Sequence, residues 1–203
     1  MNKIIAAFTL ALCITILMAS YSDSVQADLQ NNLVRLHIIA NSDTDTDQAV
    51  KLKVRDAVLK RAMELSENGS DGIIQNLNEI EKTAQNVLYE NGFNYEAKAQ
   101  YGKFAFPEKS YKSITLPAGD YYGVRIVLGE GIGQNWWCVM YPPLCFNENN
   151  EVKLSEKSES LLRENLDENT YDIITEKNGE IVVKFKVVEI FQELKQILLQ
   201  KGV

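Results

Sequence analysis

His37 is the lone histidine of the chain, and beside Cys138 or Cys145 it would be the base that activates a thiol nucleophile. It sits mid-run between Leu36 and Ile38 with no orienting partner in view, so a structural, hydrogen-bonded histidine is the stronger reading. Asp43, Asp45 and Asp47 have the carboxylate spacing that opens a calcium loop. However, Gln48 stands where the sharp-turn glycine belongs and Val54 where the bidentate glutamate belongs. A capped, acidic helix entry is expected there, with carboxylates that could add a surface determinant. Gly129, Gly131 and Gly133 follow a strand-like run as a phosphate-cradling loop would, yet two tryptophans and two prolines follow where a helix N-terminus is needed. A flexible turn lying against the aromatics is expected instead. With one histidine and no second cysteine pair beyond the first residues, a metal site is disfavoured. No catalytic or cofactor-binding set is expected.

The densest chemistry lies in residues 129–146 (GEGIGQNWWCVMYPPLCF), which hold both tryptophans, a Pro-Pro pair and Cys138 and Cys145 within 18 residues. Successive side chains of a strand point to opposite faces, so Trp136 and Trp137 cannot share one core, and one of them is expected to be exposed or held under a loop. Pro142 and Pro143 lack N–H donors and force the chain out of any central sheet position. Cys138 and Cys145 flank that bend; a bridge across it, two unlinked buried thiols and a reactive thiol are the readings, and an exported chain favours the bridge. The expected object is a rigid loop presenting Trp136, Trp137, Tyr141, Pro142 and Pro143 to a partner.

These residues need elements to position them. The run 33–40 (LVRLHIIA) reads as a buried strand, and apolar residues at helical spacing predict helices over 48–65 and 71–90, with Gly92 as a stop. Residues 95–106 alternate as a strand, 114–116 form a short one and 121–128 another. A weak helix is expected over 155–165. Residues 171–175 and 181–187 read as a hairpin about Asn178-Gly179, and 187–199 as an amphipathic helix packed on the sheet. The fold class expected is α+β, an antiparallel or mixed sheet with packed helices, preceded by an N-terminal signal segment.

Two hundred and three residues, 45% of them hydrophobic, suffice for one core. The expected division is a signal peptide or signal anchor at 1–27 and one extracytoplasmic domain at 28–203, with 33–146 its main part and 151–203 a helix–hairpin–helix part. A formal charge of −7 repels a phosphate backbone, so no nucleic-acid partner is expected. Lys3 precedes an uncharged apolar run, 4–19, and Val25-Gln26-Ala27 offers a cleavage site after Ala27. As a helix that run spans about 24 Å, short of the roughly 30 Å of bilayer hydrocarbon. A cleaved signal with only transient membrane contact is therefore favoured over a permanent anchor.

Three stretches resemble one family: 33–59 (LVRLHIIANSDTDTDQAVKLKVRDAVL), 116–129 (LPAGDYYGVRIVLG) and 129–146. Together they are similar to the stage II sporulation protein R family of endospore-forming bacteria. The resemblance implies a secreted signalling protein, made in the forespore and exported into the space between the septal membranes. There it would activate a membrane-embedded aspartic protease that processes the sigma-E precursor. It also implies importance for Arg35, His37, Asn41, Ser42 and Asp43 in the first block, and for Trp136, Trp137, Cys138, Pro142, Pro143 and Cys145 in the second. The rival expectation is a secreted hydrolase of septal or cell-wall material that uses His37 with a carboxylate.

Overall fold

The β-branched, uncharged centre of 33–40 forms β1 (Val34–Ile39), an inner strand of the main sheet. The computed structural model describes residues 2–111, 114–144, 156–175, 190 and 192. Four strands form a mixed sheet in the order β2-β5-β1-β6. β2 (Ala97–Phe106) runs antiparallel to β5 (Gly119–Leu128), β5 parallel to β1, and β1 antiparallel to β6 (Asn135–Tyr141). A two-stranded sheet, β3 (Lys109–Tyr111) with β4 (Ile114–Leu116), lies between β2 and β5 in the chain. The α+β class is the one expected.

Helices cover both faces of the main sheet, and that decides most of the packing. On the first face, Leu36 and Ile38 of β1 meet Val54 and Val58 of α2 (Asp45–Leu65) and Ile80 and Leu88 of α4 (Leu77–Glu90) in one buried cluster. Each such aliphatic side chain stabilises the fold by roughly 1.5–3 kcal/mol through burial. On the second face, Phe106, Tyr121 and Val139 meet Val25 and Leu29 of α1 (Asn2–Asn32), the β3–β4 hairpin and two further helices, α5 (Glu156–Asn165) and α6 (Glu168–Ile174).

Several expectations are corrected. α2 begins at Asp45 rather than Gln48, because Thr44 caps it by accepting the Asp47 N–H. The single helix expected over 71–90 is two, α3 (Ser70–Gln75) and α4. The chain breaks at Asn76, whose side chain turns back to donate to Gly72 O at 2.8 Å. The helix that carries the apolar run 4–19 does not end with it but continues to Asn32. Residues 171–174, expected as a strand, are helical in α6. Thr170, Tyr171, Ile173 and Ile174 are all buried there, so the helix satisfies a core that strand propensity alone does not foresee. The expected second hairpin strand at 181–187 and most of the final helix at 187–199 lie outside the described residues.

The largest correction concerns 135–141. The expected loop is β6, a strand on the edge of the sheet. Its register places Trp137 opposite His37 and Trp136 opposite Ile38. Because both faces of the sheet are covered, each tryptophan has a core of its own: Trp136 packs against the first cluster and Trp137 against the second. Both are half-buried on the strand, whereas one of them is expected from the sequence to be exposed or held under a loop.

Candidate functional site

The site is built where β1 and β6 deliver the two blocks side by side. His37 is buried on the second face, its ring stacked on Trp137 with centroids 3.7 Å apart, and its Nε2 lies 2.7 Å from Asn135 Oδ1. Phe106 closes the group edge-on, 5.2 Å from Trp137. Burial pushes the His37 pKa below its ordinary value; the Asn135 hydrogen bond opposes this and the charge of Arg125 reinforces it. The imidazole is thus held neutral and oriented. The partner absent from the sequence reading is Asn135, and among the described residues no carboxylate hydrogen-bonds to His37.

Arg35, two residues earlier on the same face, is completely buried. Its guanidinium lies over Phe106 at 4.5 Å and over Tyr121 at 4.8 Å, and Nε donates to Cys138 O at 3.1 Å. Nη1 and Nη2 have no hydrogen-bond partner among the described residues. The cation–π contacts offset part of the cost of burying this charge.

Asn41, Ser42 and Asp43, at the end of β1, tie the start of α2 to the β5–β6 loop. Asn41 Nδ2 and Ser42 Oγ both donate to Asp47 Oδ2, and Tyr95 OH donates to Asp47 Oδ1 at 2.7 Å. Asn41 Oδ1 accepts from the Glu130 N–H at 2.9 Å, and Asp43 Oδ1 from the Gln134 N–H at 2.8 Å. Burial raises the Asp47 pKa, but hydrogen bonds from Ser42, Tyr95, Asn41 and Thr44 outweigh it and hold the carboxyl below its ordinary value. Gly129 has φ +57°, and a Cβ there would stand 2.1 Å from Asn41 Oδ1. The glycine loop therefore lies against Asn41 and Ser42, not against the aromatics as expected. Asp47 is a buried structural acceptor rather than a surface determinant.

Between α2 and β6 runs a groove of about 440 Å³ lined by Gln48, Lys51, Leu52, Asn135 and both tryptophans, with Lys109 of β3 at its rim. Lys51 Nζ donates to Gln48 Oε1 at 2.6 Å and Gln134 O at 2.9 Å. Its pKa is lowered by burial, an effect that Asp43 opposes and Arg55 reinforces. Arg55 lies over Trp136 at 4.5 Å. Leu52 is more than a third exposed (37%) and adds apolar surface to the groove. Sequence reasoning missed Leu52, Lys109 and Asn135; an apolar Leu52 sharing its helix face with Gln48, Arg55 and Asp56 was the one visible signal.

Tyr141, Pro142 and Pro143 sit at the far end of β6 and do not line this groove. Tyr141 packs against the first cluster, Pro142 is buried after a cis peptide bond, and Pro143 O accepts from Ser158 Oγ at 2.7 Å. Cys138 is buried on β6, whereas Cys145 lies outside the described residues, as do 145–155 as a whole.

The family model for stage II sporulation protein R matches residues 30–151. Stage II sporulation protein R of Bacillus subtilis (strain 168) is 32% identical over 195 residues, covering 87% of each chain. No solved structure matches significantly. These similarities extend across both blocks of the site and support a role in sporulation. The chain belongs to the stage II sporulation protein R family.

Proposed function

We propose that the protein is an extracytoplasmic sporulation signal that activates a membrane-embedded aspartic protease, which then processes the sigma-E precursor. The forespore exports it, and it works in the space between the septal membranes. Near-full-length similarity to a stage II sporulation protein R carries this reading. The apolar N-terminal helix, compatible with export, supports it.

The groove between α2 and β6 is the docking surface in this account. Two tryptophans and an exposed Leu52 provide apolar anchorage, and Lys109 provides positive charge at the rim. This chemistry suits a segment of the protease that offers an apolar side chain flanked by carboxylates. Activation follows if that segment binds more tightly in the protease's active arrangement. A Cys138–Cys145 bridge would hold the β6 end and lower the ordering cost of binding.

Reconstitution tests the reading. The precursor and protease are made in a non-sporulating host with or without this protein, and the sigma factor is blotted for shortening. Processing that depends on this protein and its export is expected. No processing, with all components stably made and correctly placed, would overturn the reading and bring the wall-hydrolase alternative to assay.

A further inference from the structure

Arg35 keeps a full charge inside the domain with no anion to answer it. The side chain is completely buried, Nε donates to Cys138 O at 3.1 Å, and Phe106 and Tyr121 lie against the guanidinium. What is left is the edge made by Nη1 and Nη2, and neither atom has a hydrogen-bond partner among the described residues. Tyr111 OH is likewise buried without a partner there. Burial raises the Tyr111 pKa and the charge of Arg35 opposes this, so hydroxyl and guanidinium are neighbours. A guanidinium does not shed its proton, and a buried one is therefore completed by an anion.

One wall of this region is the end of the leader. Ser22, Val25 and Gln26 are buried, and Val25 belongs to the same cluster as Phe106, Tyr111 and Tyr121. The Tyr121 hydroxyl is within reach of both Gln26 and Arg35. Gln26 Nε2 donates to Asp120 O at 2.7 Å, but Oε1 has no partner among the described residues, and a Cβ on Gly119 would stand 2.6 Å from it. The carboxamide thus fills its seat without answering the donors beside it. A cut after Ala27 takes Ser22, Val25 and Gln26 away and opens the space over Gly119 and Tyr121. The carboxylate of the new first residue is engaged elsewhere: Asp28 Oδ2 accepts from the Asp167 N–H at 3.0 Å, and Oδ1 from Asn32 Nδ2 at 2.8 Å.

We propose that removal of the leader unmasks a carboxylate-binding pocket anchored by the Nη1–Nη2 edge of Arg35, with Tyr111 OH as a third donor. The inference rests on cleavage after Ala27, which the sequence favours, and is independent of the groove between α2 and β6. The paired N–H groups of a guanidinium hold a carboxylate through two parallel hydrogen bonds. A planar carboxylate fits both that edge and the seat left by the carboxamide, whereas a tetrahedral phosphate fits only the edge. The Asp120 carbonyl, freed of Gln26, turns to water. The occupant is a free organic acid or the acidic side chain of a partner, and the unprocessed chain binds neither.

The test compares the chain secreted by a Gram-positive host, its first residue fixed by intact mass, with the full chain made without export and held in neutral detergent. Both carry isotope-labelled arginine, and the guanidinium resonances are followed as sodium acetate replaces sodium chloride at constant ionic strength. The Arg35 resonances should shift saturably in the secreted chain and stay still in the full chain. Shifts that do not saturate, or that the full chain shares, would overturn the pocket. A secreted product that retains residues 1–27 would instead overturn the cleavage, and the unmasking with it. Tyr111→Phe, which keeps the ring, should weaken acetate binding about fivefold, the loss of one hydrogen bond; an unchanged midpoint would contradict the third donor. Inorganic phosphate should bind more weakly than acetate, and equal binding would contradict the planar seat. N-acetyl-aspartyl amide separates the two sources: binding it as well as acetate assigns the pocket to a partner's side chain, and binding acetate alone assigns it to a free acid.

Discussion

The imidazole of His37 lies against the indole of Trp137, centroids 3.7 Å apart and planes within 20°, with Asn135 Oδ1 at 2.7 Å from Nε2. The two family blocks thus meet through one stacked pair on neighbouring strands. A sheet buried on both faces makes this possible, since β6 can place a tryptophan on each side and still bury both in part. The stack also fixes the wall of the groove next to which Leu52 and Lys109 stand.

Neutral His37 gives stability a pH dependence. Its folded pKa lies below the unfolded value of about 6.5, so the unfolded chain takes up the proton first as pH falls. Stability is full above about pH 6.5 and is lost as pH falls from there through the lower folded pKa. Urea midpoints of the detergent-solubilised protein should therefore drop between pH 7 and pH 5. His37→Phe, which keeps a ring against Trp137, should flatten that drop.

Asp47 is the acceptor on which Asn41, Ser42 and Tyr95 converge. Asp47→Ala should destabilise the fold by about 2 kcal/mol, since three half-buried donors lose a charged partner. The wild-type contribution is present above the unfolded carboxylate pKa of about 3.9 and is lost as pH falls through the lower folded value. Chemical denaturation of wild type and variant at neutral and acid pH checks both statements.

Gly129 admits no side chain beside Asn41. Gly129→Ala should cost about 2 kcal/mol from the positive φ and the clash together. It should also shift tryptophan emission, because the displaced loop leads directly into Trp136. Thermal melts followed by fluorescence read both effects, and a midpoint equal to wild type would contradict the interlock of Asn41 with the loop.

The Cys138–Cys145 pairing is open to thiol labelling before and after reduction. If the bridge forms, Cys145→Ser should lower stability by about 2.5 kcal/mol, the chain-entropy value for so short a loop. Equal labelling of native and reduced protein would remove the bridge from the account.

Much of the scaffold was legible from periodicity. β1, α2 and β5 follow from runs whose apolar spacing has one consistent period, and their ends fall close to those expected. β6 was hidden because adjacent tryptophans and a Pro-Pro pair conflict with a strand buried on one face, and a single sequence does not reveal that both faces are covered. α6 was hidden because Tyr171, Ile173 and Ile174 favour strands locally, while tertiary burial selects the helix. The spacing of Ser22, Val25, Gln26, Leu29 and Leu33 was readable as a helical stripe, but an expected cleavage site interrupted it. Of the site, His37 and both tryptophans were visible. Asn135, Leu52 and Lys109 are brought to them only by the pairing of β6 with β1 and by the seat of α2 beside it.

The docking surface is the central claim, and one measurement addresses it most directly. Leu52→Asp and Lys109→Glu change the groove rim at solvent-accessible positions outside both buried clusters. In the reconstituted processing assay, the double variant should lose sigma-factor processing at least tenfold while its thermal midpoint and export match wild type. Processing at the wild-type rate by a stably folded, correctly placed double variant would contradict the claim that the protease binds this groove.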